Sequence, residues 1–285
     1  MIRLLPITTI AATLSLTATA AFADCATDAQ INTFVEEYLA KTPTEALSAG
    51  GSMADALCSQ EKLVQALIPH LGPVVGYKAG LTSKPSQERF GTTEPVRGVL
   101  YRDMLLDDGA EIPAHFGTIP LLEGDLVLVV GDDAINNAKT PEEAMQHISA
   151  VRPFIELPDL TLAKGQPITG VTLTAMGVAV RLGVLGAPIP VKDPNAMLEA
   201  LAAMKVTVKA SDGSVLAEAP GSAVLGNPVN SVLWLMQSGI TLKKGDLVSV
   251  GSIGPLLPPA KAGSGASVTY DGLPGNPTVS VKFKS

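Results

Sequence analysis

Residues Ile119-Pro-Leu-Leu-Glu-Gly-Asp-Leu-Val-Leu-Val-Val130 form an apolar run broken at alternate positions by two acids, Glu123 and Asp125. Side chains two apart on a strand point to the same face of a sheet, so the run predicts a strand that aims both carboxylates at one point. Burying unneutralised carboxylates in an apolar run is costly. A solvated edge, a lysine or arginine partner, or a cation with oxygen ligands can each keep them there. A third acid, Glu156 in Phe154-Ile-Glu-Leu157, and the lysine of Gly76-Tyr-Lys78 sit in similarly apolar words. One divalent ion beside an ammonium is the sharper reading of the four; a solvated strand face, with Lys78 simply paired to Glu123, is the plainer one.

Outward from this run the chain is β-rich. Short runs read as strands at Val74 to Lys78, Gly98 to Tyr101, Leu122 to Val130, Val171 to Leu182, Val206 to Ala210, Leu247 to Val250, Ala266 to Tyr270 and Thr278 to Phe283. Helical spacing appears before them, from Asp28 to Leu71, punctuated by Pro43 and Gly50-Gly51. Helices are also predicted over Thr140 to Val151, over Asp193 to Met204 and over Asn227 to Gln237, the first two with capping residues at their starts. Many short strands with few helices imply an α+β chain with a mixed, largely antiparallel sheet.

The termini and composition bound the function. Met1-Ile-Arg3 is a short positive start, Leu4 to Phe22 is apolar, and Ala21-Phe-Ala23 has the form of a cleavage site. Residues 1–23 therefore read as a secretory signal cut after Ala23, placing the mature chain in the periplasm or outside the cell; an uncleaved anchor is the alternative. In an oxidising compartment Cys25 and Cys58 either close a disulfide or remain free thiols. The remainder divides into a helical region at 24–71 and a larger domain at 72–285. With a net charge of −7 and no basic run, nucleic acid is excluded as a partner, and nothing after residue 23 is long and apolar enough to span a membrane. The three histidines, His70, His115 and His147, lack ligand spacing, which leaves oxygen donors for any metal.

A series of words resembles, in order, the 2-keto-4-pentenoate hydratases and 4-oxalocrotonate decarboxylases of the fumarylacetoacetate hydrolase superfamily. They are Gly76-Tyr-Lys-Ala-Gly-Leu-Thr-Ser83, Glu94-Pro-Val-Arg-Gly98, Pro120-Leu-Leu-Glu-Gly-Asp125 and Pro153-Phe-Ile-Glu-Leu-Pro-Asp159, followed by Gly221-Ser-Ala-Val-Leu-Gly-Asn-Pro228, Gly239 to Asp246 and Gly251-Ser-Ile-Gly-Pro255. The resemblance implies a fumarylacetoacetate hydrolase-like mixed β-roll/sheet domain with an N-terminal helical cap. It implies Glu123, Asp125 and Glu156 as ligands of Mg²⁺ or Mn²⁺, Lys78 as the catalytic ammonium, and a small 2-oxo acid or dienoate as substrate. It further implies substrate contacts at Ser83, Ser252 and Leu173, and assembly into a homo-oligomer. Leu173 and Thr174 stand where the family commonly has an Asp-Asn pair, and Leu160-Thr161 stand where an arginine is common. Asp159 is either a support for the ligands or a turn residue. Gly251 to Gly254 either offers backbone N–H groups to a substrate carboxylate or is a turn between strands. Ser86-Gln-Glu-Arg89 lacks the histidine that the C–C hydrolase branch uses.

The implied activity is a hydratase acting on 2-hydroxy-2,4-dienoates. The alternatives are a 4-oxalocrotonate-type decarboxylase and a non-catalytic exported protein that binds 2-oxo acids.

Overall fold

The computed structural model describes residues 25–284; the signal segment expected at 1–23 lies outside them. The chain opens with two helices, α1 (Asp28–Ala40) and α2 (Met53–Leu71), each begun by a reciprocal capping box, Thr27 with Gln30 and Ser52 with Asp55. Cys25 and Cys58 form a disulfide that fastens the segment leading into α1 to the first half of α2. The strands that follow are β1 (Val74–Gly80), β2 (Val96–Tyr101), β3 (Leu105–Asp107), β4 (Glu111–Pro113), β5 (Glu123–Val130), β6 (Ile148–Leu157), β7 (Leu182–Leu185), β8 (Ile189–Pro190), β9 (Lys205–Ala210), β10 (Val215–Pro220), β11 (Leu247–Ser249), β12 (Gly265–Asp271) and β13 (Thr278–Lys284). Among them lie α3 (Lys84–Arg89), α4 (Pro141–Met145), α5 (Gly170–Ala175), α6 (Pro194–Ala203) and α7 (Asn230–Gln237).

Two sheets carry the fold. The larger runs β2-β1-β11-β5-β6-β7-β3, with β8 added to β6, and the smaller runs β10-β9-β12-β13-β4. The pairs β1–β11, β3–β7 and β4–β13 are parallel and the rest antiparallel, as the sequence pattern implies. One core fills the space between the sheets, from Leu126, Leu128 and Ile155 to Val206, Val268 and Tyr270. A second packs the N-terminal helices, through Phe34, Leu63 and Leu67, against Leu100, Leu173 and Ala175. Helix α5 thus sits between the helical layer and the larger sheet.

Several elements differ from the sequence reading. Val171 to Leu182 is not one strand: α5 comes first and β7 begins only at Leu182. The β-branched residues that suggest a strand are recruited as caps, Thr169 accepting from the Thr172 amide at 3.2 Å while Thr172 accepts from the Thr169 amide at 2.9 Å. Thr140 does cap a helix, but α4 ends at Met145, and Ile148 to Val151 belong to β6, where hydrogen bonds to β5 and β8 override helix propensity. Strand β10 and helix α3 are additions; β10 is an edge strand with no fully buried residue and hence no apolar signal.

Candidate active site

The Glu-Gly-Asp word of β5 works through strand alternation. Glu123 and Asp125 turn to one face, while Gly124 turns to the other, where a Cβ would lie 3.2 Å from Val206 and 3.3 Å from Val268 of the smaller sheet. The glycine lets the second sheet close against the opposite face of the strand. On the neighbouring strand Glu156 pairs directly with Glu123 across the antiparallel ladder, and Asp125 pairs with Phe154. Carboxylate oxygens of Glu123, Asp125 and Glu156 consequently lie within 4.8 Å of one another, all three residues buried.

Lys78 reaches the same point from β1, two strands away. It is 2% exposed, its Nζ donating to Glu156 Oε1 and, at 3.0 Å, to the Val178 carbonyl. The plain reading of the sequence paired it with Glu123; in the structure it bonds Glu156. Between β1 and β5, Ser249 of β11 donates from its hydroxyl to Asp125 Oδ2, and the Gly251 amide donates to Oδ1 at 3.0 Å. Tyr270 arrives from β12 and inserts its hydroxyl into the β5–β6 ladder. It shares its one proton between the Asp125 and Phe154 carbonyls and accepts from the Phe154 amide at 3.0 Å.

Electrostatics make the trio costly as it stands. Burial drives the Glu123 carboxyl well above the ordinary carboxylate range, the Glu156 charge adding to the effect and the Lys78 ammonium opposing it. Asp125 is pushed up to about 7, by burial first and by Glu156 second, against the hydrogen bonds from Ser249 and Leu126. Three carboxylates and one ammonium leave a formal charge of −2. Two protons or one divalent cation restores neutrality. Three converging oxygens are a fitting donor set for a hard divalent ion, which takes oxygen ligands at roughly 2.0–2.6 Å.

The site opens into a cavity of about 150 Å³. Lys78, Glu123 and Glu156 line it, as do the expected contacts Ser83, Ser252 and Leu173; Asp125 lies behind them, fully buried. Ser83 also caps α3, accepting from the Ser86 amide at 3.4 Å. Asp159 stands elsewhere: its carboxylate accepts from the Thr118 and Ile119 amides at 2.9 and 2.7 Å, holding the loop before β5 rather than the carboxylate trio. The Gly251 and Ile253 amides are given to Asp125 and to the Gly124 carbonyl, so the glycine-rich segment ties β5 rather than offering those groups to a substrate. The sequence reading missed Val178, Ser249 and Tyr270; strand order, which no local pattern carries, brings in the last two, and the left-handed turn after α5 brings in Val178.

Residues 79–276 match the family described as fumarylacetoacetate (FAA) hydrolase, C-terminal. The chain belongs to the fumarylacetoacetate hydrolase family. Within it, the chain is 32% identical over 205 residues to the 2-keto-4-pentenoate hydratase of Burkholderia vietnamiensis (strain G4 / LMG 22486), covering 70% of this chain and 75% of the relative. It is 30% identical, with the same coverage, to 2-keto-4-pentenoate hydratase 1 of Dechloromonas aromatica (strain RCB). The 4-oxalocrotonate decarboxylase of Pseudomonas putida G7, complexed with magnesium and adipate, superposes with a TM-score of 0.76 at 20% identity over 90% of this chain and 96% of that one. That likeness shows the fold, and the family's α+β architecture with N-terminal helices is the one expected from the sequence words.

Proposed function

We propose that the protein is a divalent-metal-dependent hydratase, a carbon–oxygen lyase that adds water to short 2-hydroxy-2,4-dienoates through their 2-oxo tautomers. The observation that carries this reading is the convergence of Glu123, Asp125, Glu156 and Lys78 on one small cavity; the hydratase relatives support it. Glu123, Asp125 and Glu156 hold the ion, and their all-oxygen donor set favours Mg²⁺ or Mn²⁺. When bound, such an ion supplies Lewis acidity toward the carboxylate and 2-oxo oxygens of the substrate.

The chain's own groups do the rest. The Lys78 ammonium, aimed by the Val178 carbonyl and Glu156, stabilises negative charge on the enolised substrate and passes a proton to its carbon chain. In the first stage the 2-hydroxyl proton leaves and C5 gains one, so that the C3–C4 double bond becomes conjugated to the C2 ketone. A water oxygen then adds at C4 and a proton at C3, giving a 4-hydroxy-2-oxo acid. Ser83, Ser252 and Leu173 shape the wall against which the chain lies.

Export is part of the proposal. The 1–23 signal pattern and the Cys25–Cys58 disulfide support an oxidising compartment. Among the described residues no helix is long and apolar enough to cross a membrane. N-terminal sequencing of the protein recovered from a periplasmic fraction should begin at Asp24, and light scattering of that material tests the expected homo-oligomer.

The decisive assay follows the ultraviolet absorbance of 2-hydroxypenta-2,4-dienoate with Mg²⁺ or Mn²⁺ supplied. Absorbance should fall, Lys78→Ala should slow the loss by about 100-fold or more, and Glu123→Gln should abolish stoichiometric Mn²⁺ binding. Ion binding without turnover of any dienoate would leave a binding protein and refute the hydratase.

A further inference from the structure

We infer that the cavity selects its substrate by the end remote from the reacting carboxylate, taking monoacids with a hydrocarbon tail, and that Leu160 and Leu173 turn away a second carboxylate. The inference rests on the hydratase reading for the head of the substrate and on the wall of the cavity for its tail. Apart from Lys78, Glu123 and Glu156, the residues lining the cavity carry no charge. Lys78 is engaged by Glu156 and the Val178 carbonyl, so its charge belongs to the head.

The remaining wall is hydrocarbon with a few hydroxyls. Leu81, Phe90, Leu160, Leu173 and Val178 supply the apolar surface. The serine protons are spent locally: Ser86 donates to the Ser83 carbonyl at 2.7 Å, Ser83 to the Ser86 hydroxyl at 3.0 Å, and Ser252 to the Gly254 carbonyl at 2.7 Å. That leaves the Thr82 hydroxyl as the wall's remaining side-chain donor, against a carboxylate that accepts about four hydrogen bonds. The Arg89 guanidinium stacks over the Phe90 ring, 5.3 Å from its centre, and does not line the cavity.

Leu160 and Leu173 matter most because the wall behind them is fixed. Leu173 belongs to the core that joins α5 to the N-terminal helices, and Leu160 packs against the same core, so neither can withdraw to admit water around a charge. A volume of about 150 Å³ also keeps the tail short, below the roughly 300–1,000 Å³ of pockets for larger ligands.

The test compares two 2-oxo acids of equal length, 2-oxohexanoate and 2-oxoadipate, which differ by a terminal methyl against a carboxylate. Isothermal titration into the Mn²⁺-loaded full chain reads binding without requiring turnover. The monoacid should bind on the order of 100-fold more tightly, since the diacid buries an unpaired charge. Leu160→Arg and Leu173→Arg should each narrow the gap at least about tenfold, measured at saturating Mn²⁺. The wild-type ratio decides the matter even if either variant fails to fold. Equal affinities, or preference for 2-oxoadipate, would overturn this inference and leave the hydratase reading standing. Failure of both acids to bind would overturn the two together.

Discussion

Gly98 offers the sharpest test of how the ammonium is held. It pairs with Lys78 across the β1–β2 ladder, and a Cβ built on it would lie 2.6 Å from the Gly177 carbonyl oxygen and 3.2 Å from Lys78 Cγ. The lysine stem can bend, but the Gly177 oxygen is backbone and has to retreat by roughly 0.5–1 Å to reach ordinary contact. Gly177, Val178 and Ala179 are consecutive left-handed residues, at φ 76°, 57° and 56°, an uncommon conformation for a β-branched side chain. The segment is pinned at both ends, the Val178 amide donating to Leu173 at 2.7 Å and the Ala179 carbonyl accepting from Asp159 at 2.9 Å. It therefore moves as a unit and carries the Val178 carbonyl away from Lys78. Gly98→Ala should cost about 1–3 kcal/mol, a fall in Tm of about 2–4 °C for each kcal/mol. Dienoate turnover should fall by up to about 100-fold, the penalty of a ~1 Å misplacement of a catalytic group. Calorimetry and the absorbance assay, run beside Gly265→Ala, separate the two effects. Gly265 stands in the smaller sheet with an equally blocked Cβ, 2.5 Å from the Val281 carbonyl oxygen. If Gly98→Ala loses no more activity than Gly265→Ala at matched Tm, the proposed anchoring of Lys78 by this segment is wrong.

Divalent-ion affinity should rise with pH. The folded carboxyls of Asp125, pushed up to about 7, and of Glu123, raised well above its ordinary range, hold protons at acidic pH that an incoming cation must displace. Below about pH 7 the apparent Mn²⁺ affinity should fall by about tenfold per pH unit for each proton displaced, and Asp125→Asn should remove one proton from that slope; a flat titration from pH 6 to 8 contradicts the charge balance. Tyr270→Phe leaves the buried Phe154 amide without its hydroxyl partner and frees the Asp125 carbonyl. A loss of about 1–3 kcal/mol of stability should come with weaker Mn²⁺ binding, read by electron paramagnetic resonance, whereas a purely structural role would leave ion affinity at the wild-type value. Reduction of the Cys25–Cys58 bridge, which spans 33 positions of chain, should cost about 3–4 kcal/mol by loop entropy, so unfolding with and without dithiothreitol should differ by roughly 10 °C.

The parts of this fold that show in the sequence are those governed by local periodicity. Glu123 and Asp125 alternate on a strand, and the helices before Gly72 follow a 3.6-residue period. Helix α5 escapes notice because it is enclosed: Thr172, Leu173, Thr174 and Ala175 are all buried, so no polar face marks the helix period. Strand β6 hides its start because Ile148-Ser-Ala-Val151 reads as easily as the continuation of α4. The residues that surround the site belong to strand order. Lys78 meets Glu156 only because β11 separates β1 from β5, and Tyr270 enters from the other sheet at a position 145 residues beyond Asp125.

The metal reading and the apolar wall support one another physically. A solvated cleft would leave the charge of −2 on the trio and Lys78 screened, and neither an ion nor an ammonium would then be held tightly. Here the smaller sheet covers the back of β5 through Gly124, the helical layer backs Leu173, and both raise the field that a divalent ion feels. The same dryness that strengthens attraction at Glu123, Asp125 and Glu156 makes any further unpaired charge in the cavity expensive. Selection of a hydrocarbon tail and tight retention of the cation are thus two results of one arrangement. A substitution that hydrates the wall, such as Leu173→Asn, should therefore weaken Mn²⁺ binding even though Leu173 is no ligand, and unchanged ion affinity in that variant would separate the two.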